Sequence, residues 1–190
     1  MTNGVVSLRP TEELEEFLDF MWGDNQGYAY IPIKEPHKED ADFEAKFFEW
    51  PKEKQEAVDY IIRVSPVAEV YFGPALYKKI GSPVPENILG SQVLWTEFDG
   101  NAPKGGVLGD KIPHPTMRVR SSNEGHEHFY WKLDRFETEF EYIENINKAI
   151  AYTLQADSSA WDPTQILRPI GTKNHKRRSE EHTSELQSRL

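Results

Sequence analysis

Short strand-like runs outnumber long helical segments along this chain, and that ratio constrains its fold more than any other feature. Three stretches carry the 3.6-residue apolar spacing of a helix long enough to pack. In residues 11–22, TEELEEFLDFMW, the apolar positions are Leu14, Phe17, Leu18 and Met21, with Thr11 as N-cap and Glu12 and Glu13 in the first turn. Residues 52–64 place Ala57, Tyr60 and Ile61 on one face, and residues 137–155 space Phe140, Ile143, Ile146, Ile150 and Leu154 as a long helix. Strands are expected at 28–33 (ending near Pro32), 68–72, about 92–98, 117–120, 127–132 and 165–168. Residues 75–80 read as a single helical turn. Gly81 to Gly90, rich in Pro and Gly, is the best internal boundary. The pattern is that of a mixed α/β chain.

Composition narrows the class. Apolar residues are 37% and aromatics 12% of 190 residues, enough for a core, so the chain is not read as disordered. No apolar run approaches the ~20 residues of a membrane span, and the N-terminus lacks a secretory pattern. The absence of cysteine excludes disulfides, thiolate metal sites and a cysteine nucleophile. A cytoplasmic location is the expectation. The net charge of −10 argues at first against a phosphate-rich partner, but the acid is concentrated in residues 11–60. Basic residues gather later, at Arg118, Arg120, Arg168, Lys173 and Lys176.

Arg178 to Ser188 is similar to the translation of a common short-read sequencing adapter. Residues 178–190 are therefore set aside as an artefact tail, and the native gene is expected to continue past about Arg177.

Several groups carry chemistry. Glu97 and Asp99 stand at i and i+2 near the end of the apolar run VLWTEF, hence on one strand face. Adjacent carboxylates repel and are tolerated where solvent or a divalent cation lies between them. His126 and His128 share a face in SSNEGHEHFYW. They read as a metal pair, as one phosphate-binding histidine beside a structural one, or as two surface histidines. Ser121, Ser122 and Asn123 before them offer hydroxyl and backbone donors to an anion. Asp157 follows the long helix, where an acid is poorly matched to the negative C-terminal dipole. Asp162, before Pro163, reads as turn chemistry. Arg168, Gly171, Lys173, Asn174 and Lys176 form a basic exit suited to polyphosphate or template backbone.

In this order these motifs resemble the archaeo-eukaryotic primase superfamily, in its primase-polymerase branch from plasmids and phages. The acidic strand end matches Glu97 and Asp99, and the Ser-containing turn before a histidine and an aromatic strand matches Ser121, Ser122 and His128. The single aspartate matches Asp157. The segment R-x-P-G-T-x-N-x-K is matched by Arg168, Gly171, Thr172, Asn174 and Lys176, with a departure at RPIGT.

The resemblance implies an α/β (α+β) fold with an RRM-like antiparallel catalytic core. The catalytic domain would span 1–177, with an N-terminal α/β accessory module at 1–88 and a metal-binding core at 89–177. It implies template-dependent nucleotidyl transfer, making primers or extending DNA in plasmid or phage replication. The implied cofactors are two divalent ions, Mg²⁺ or Mn²⁺, on Glu97, Asp99 and Asp157. The implied partners are single-stranded DNA, NTP or dNTP substrates and a replicative helicase, with no membrane. Catalytic roles fall to Glu97, Asp99, Asp157 and His128; His126 stays open as an alternative, with His128 favoured. Arg120, Ser121, Ser122, Arg168, Lys173, Asn174 and Lys176 are the expected phosphate or template contacts. Two other readings are a rolling-circle replication endonuclease with an H-x-H site, and a non-catalytic RRM-like module whose Phe129, Tyr130 and Trp131 stack bases.

Overall fold

The structure is a computed structural model that describes residues 10–36, 42–104, 108, 112–175, 182–183 and 185–189. In chain order it contains α1 (Pro10–Trp22), β1 (Gly27–Tyr30), β2 (Ile33–Lys34), β3 (Phe47–Trp50), α2 (Lys54–Val64), β4 (Glu69–Val70) and β5 (Leu76–Tyr77). A 3-10 turn, Pro85–Asn87, leads into β6 (Ile88–Asp99), β7 (Met117–Arg120), β8 (His126–Glu137) and α3 (Phe140–Leu154). Then come β9 (Lys173–Asn174), β10 (His182–Thr183) and β11 (Glu185–Arg189). The mixed α+β class is as expected from the sequence. Among the described residues no helix is long and apolar enough to cross a membrane.

A seven-stranded sheet in the order β11-β7-β8-β6-β5-β1-β3 forms the centre, and its neighbours all pair antiparallel. Two-stranded sheets, β2-β4 and β9-β10, flank it. The apolar stripe of α1 is pressed on the sheet: Phe17, Leu18 and Met21 are fully buried. The Phe17 ring meets Phe72 edge-on at 5.1 Å and Tyr130 at 6.1 Å. Burying a side chain of this kind stabilises by roughly 1.5–3 kcal/mol. This is why α1 forms despite its many acids, which point outward.

Three local expectations are corrected. Residues 75–80 are not a helical turn: Leu76 and Tyr77 form β5, which is wholly buried between β1 and β6, so sheet pairing overrides local propensity. The strand at 165–168 reduces to one bridge, Phe72 to Leu167, with both main-chain bonds made at 2.8 and 2.9 Å. The helix expected at 137–155 starts at Phe140. Glu137 still belongs to β8, and its carboxylate accepts the Glu139 N–H at 3.0 Å. The Gly81–Gly90 connection also runs directly into β6, so β5 joins the strands of the N-terminal half to the same sheet as β6, β7 and β8.

One strand edge matters for function. β6 pairs with β8 along its length, but with β5 only at Ile88 and Gly90. The rest of that edge would expose unpaired N–H and C=O groups, which are costly when buried. Two of them are met by α3 and the loop that follows it. Trp95 N–H donates to the Oδ1 of buried Asn147 at 3.1 Å, and Glu97 C=O accepts the Asp157 N–H at 2.8 Å.

Candidate active site

The β6-β8 register decides what faces what. Glu97 lies opposite His128 and Asp99 opposite His126, so the two carboxylates and the two histidines share one face of the sheet. His126 Nδ1 is 2.8 Å from Asp99 Oδ1, and His128 Nε2 is 3.6 Å from Glu97 Oε1. Their surroundings differ sharply. The Asp99 side chain is 78% exposed, whereas that of His128 is 2% exposed. Glu97 Oε2 also accepts from Gln165 Nε2 at 3.3 Å.

The exit of β6 is tied to the β7-β8 turn. Gly125 C=O accepts from both Gly100 and Ala102 N–H at 3.0 Å. Gly125 has φ +83°, and a Cβ there would come within 2.6 Å of Gly100 oxygen, so only glycine lets the turn approach this closely. This contact fixes the end of β6 beside the start of β8, where Asp99 meets His126. Ser121 closes the same turn, its N–H and Oγ both donating to His126 C=O at 2.9 and 3.3 Å. Ser122 is half-buried next to it.

The third carboxylate arrives through the main chain. The bond from Asp157 N–H to Glu97 C=O hangs Asp157 beside the strand pair. Its Oδ1 accepts from Ser159 N–H and Ser159 Oγ, both at 2.8 Å. Asp162 does what its turn chemistry predicts: Oδ1 accepts from the N–H and Oγ1 of Thr164, both at 2.6 Å.

The basic residues separate from this cluster. Arg120 lies opposite Glu127 in the β7-β8 register, on the face away from His128. Arg118 shares that far face, holding Glu127 at 2.7 Å with its guanidinium 5.0 Å over the Phe129 ring. Arg168, expected at a phosphate, is instead 4% exposed and ion-paired with buried Glu69, while its Nη1 donates to Lys173 C=O at 2.8 Å. Lys173 and Asn174 form β9. Lys173 N–H is bound by Ser65 Oγ at 3.0 Å, and His175 N–H by Glu69 Oε1 at 2.7 Å. Lys176 lies outside the described residues.

Glu69 is the residue that sequence reasoning missed. Its signal was an acid within the apolar run AEVYF, which demands a partner when buried. Tyr71 on the same segment packs against Arg168. The Arg168 guanidinium sits 5.1 Å over its ring. Burial raises the Tyr71 phenol above its usual range against the lowering effect of Arg168, with the charges of Glu69 and Glu97 adding to the rise.

The donor set suits hard divalent ions in kind, since three carboxylates hang from adjoining backbone. Each is turned onto a neighbour: Glu97 to His128 and Gln165, Asp99 to His126, Asp157 to Ser159. Among the described residues no three His, Asp or Glu side chains converge closely enough to hold an ion. The two histidines face different carboxylates, which is not the shared metal of an H-x-H endonuclease site. Phe129, Tyr130 and Trp131 are buried, so they pack the core and do not present a base-stacking platform.

The fold has counterparts among solved structures. The crystal structure of the primase RepB' superposes with a TM-score of 0.69 at 14% identity, covering 95% of this chain. The catalytic domain of primase RepB' in complex with initiator DNA gives 0.67 at 13%, covering 96% of this chain and 86% of that one. The archaeo-eukaryotic primase domain of the cyanophage S-2L primase-polymerase gives 0.69 at 12%, covering 94% and 90%. The chain has the fold of primase catalytic domains. It spans 57% of the length of the RepB' primase chain. No protein-family profile matches it, and neither does any curated protein sequence. At these identities the likeness establishes the primase fold, and the side chains of this chain must carry the argument for chemistry.

Proposed function

We propose that this chain is the catalytic domain of a primase-polymerase that joins nucleotides on a single-stranded DNA template. The observation that carries the reading is the main-chain bond between Asp157 and Glu97. It brings a third carboxylate, distant in sequence, to the strand end where Glu97 and Asp99 already stand. The primase fold supports it, as does a neighbour whose crystals contain initiator DNA. Glu97, Asp99 and Asp157 are the residues that would hold Mg²⁺ or Mn²⁺, once their side chains turn from Gln165, His126 and Ser159 toward a common ion. Such ions, when bound, activate the attacking 3′-hydroxyl and stabilise the leaving pyrophosphate.

The chain's own groups do the rest. Before ions bind, Gln165 donates a hydrogen bond to Glu97 and His126 pairs with Asp99. His128, fixed in the sheet beside Glu97, donates to an oxygen of the incoming triphosphate. Ser122 and the turn around it supply further donors. The rigid β6-β8 pair sets the spacing, so positioning and charge neutralisation provide most of the rate. Arg168 acts indirectly, by anchoring the 168–175 segment on Glu69. Primer synthesis, extension, and a helicase partner belong to the same proposal.

The test is incorporation of labelled nucleotides on single-stranded DNA with Mg²⁺ or Mn²⁺. Asp99→Ala is expected to abolish incorporation while leaving the thermal unfolding profile intact, because its side chain is solvent-exposed and packs no core. An active Asp99→Ala protein would remove the basis for the site. Nicking of DNA without incorporation would point to an endonuclease, and template binding with neither activity to a non-catalytic module.

A further inference from the structure

The hydroxyl of Tyr130 has no role in the chemistry just described, yet it lies 3.3 Å from His128 Nδ1. Both residues are buried, His128 at 1% and Tyr130 at 0% exposure. They stand at i and i+2 on β8 and so share a face, with ring centroids 6.3 Å apart at 85°.

A phenol–imidazole contact has two polarities. In the first, Nδ1–H donates to the phenol oxygen and, in a neutral ring, a bare lone pair remains on Nε2. In the second, the phenol donates to Nδ1 and the ring proton resides on Nε2. The opposite side of the ring selects between them. Nε2 is 3.6 Å from Glu97 Oε1, and a lone pair aimed at a carboxylate repels it whereas an N–H attracts it. Burial, reinforced by the nearby Glu97 charge, holds the Tyr130 phenol well above its ordinary range, so it keeps the proton it must donate. Apolar residues flank Tyr130 from three elements: Phe17 from α1, and its register partners Trp95 on β6 and Met117 on β7.

We propose that Tyr130 is a positioning residue, fixing His128 as the Nε2–H tautomer with that N–H directed to the Glu97 side of the site, where it meets the triphosphate of the incoming nucleotide. This rests on the nucleotidyl-transfer reading. It also separates the two histidines on physical grounds. His126 faces the exposed Asp99 through Nδ1 and has a 25% exposed side chain. His128 has both ring nitrogens directed by buried or half-buried neighbours.

The tautomer is read directly by long-range ¹⁵N–¹H NMR of the wild-type protein labelled at histidine. The expected pattern is a protonated Nε2 and a bare Nδ1 at His128. A proton on Nδ1, in a neutral or charged ring, would overturn the proposal without any variant. Tyr130→Phe removes only the hydroxyl. It is expected to raise the nucleotide KM about tenfold, the size of one lost hydrogen bond, with kcat little changed. In His128→Ala the same Tyr130→Phe change should add nothing further to KM, whereas a purely structural tyrosine would act equally in both backgrounds. Unchanged KM in Tyr130→Phe also sinks the idea. Asp99→Ala run in parallel keeps the two failures apart. If Asp99→Ala retains incorporation, the nucleotidyl-transfer reading fails; if it is inactive while Tyr130→Phe matches wild type, only the positioning role fails.

Discussion

Gly125 sits at the closest approach within the site, and a single methyl group there tests how tightly the turn and the β6 exit are joined. Its φ of +83° disfavours any side chain, and the Cβ would press on Gly100 backbone that cannot rotate away. Gly125→Ala is expected to cost about 1–3 kcal/mol in urea unfolding. It should also impair incorporation more than stability alone explains, because Asp99 and His126 lose their alignment. At this same scale the four site residues of the β6-β8 pair divide by exposure. His128 is shielded, Glu97 and His126 are half-buried, and Asp99 is open to solvent. A group that holds a nucleotide in one geometry is better placed when its own ring is held by packing, which is the reason for preferring His128.

At the scale of elements, two contacts anchor the segments around the site. Glu69 on β4 and Arg168 are both buried and ion-paired, and Glu69 also accepts the His175 N–H. Glu69→Leu strands a buried guanidinium and is expected to cost about 3–5 kcal/mol. The double change Glu69→Leu/Arg168→Met should recover part of that loss in urea titration, since it removes the isolated charge. No recovery would mean that the His175 and Lys173 main-chain contacts carry most of the energy.

The second anchor is Glu137, which accepts the Glu139 N–H just before α3. This bond, together with Arg135, lowers the Glu137 pKa below the usual carboxylate range. A carboxylate depressed in the folded state adds stability above its unfolded pKa, about 4.3, and loses it as pH falls through the lower folded value. Wild type is therefore expected to melt above Glu137→Gln at pH 7, with the gap closing as pH falls below about 4.3. A pH-independent gap would assign the effect to packing.

For the whole molecule, the question is which strands the sheet requires. β11, from the stretch that is similar to a translated sequencing adapter, pairs with the outer edge of β7. The inner edge of β7 pairs with β8, and Met117 and Val119 are buried. Removing residues 178–190 thus uncovers the outer edge of β7 and the β10-paired edge of β9 without opening the core. The expected change in Tm is below about 4 °C, with faster amide exchange along β7 and β9 as the large local effects. A cooperative loss of fold would show that the tail is an integral strand. The N-terminal half, in turn, is welded to the site by β5 and by α1, whose Phe17 touches Tyr130 behind the histidine.

Period-2 alternation was enough to put Glu97 with Asp99, and His126 with His128, on common faces, because side-chain direction in a strand is a local property. Helical spacing likewise located α1, α2 and α3 to within a few residues, and Asp162 announced its turn by the proline that follows. Everything that depended on pairing between distant segments lay beyond the sequence. The β6-β8 and β7-β8 registers turned His128 toward Glu97 and Arg120 to the far face. Arg168 found Glu69, and Asn147 found the Trp95 N–H, because buried charges and strand edges must be satisfied by whatever the fold brings near. The acid pair with which the site begins was legible as a strand motif. So was Tyr130 beside His128, two residues apart on one strand, whereas the bond from Asp157 to Glu97 and the facing of His128 to Glu97 were made by tertiary packing, since contact between distant segments has no signature in local sequence.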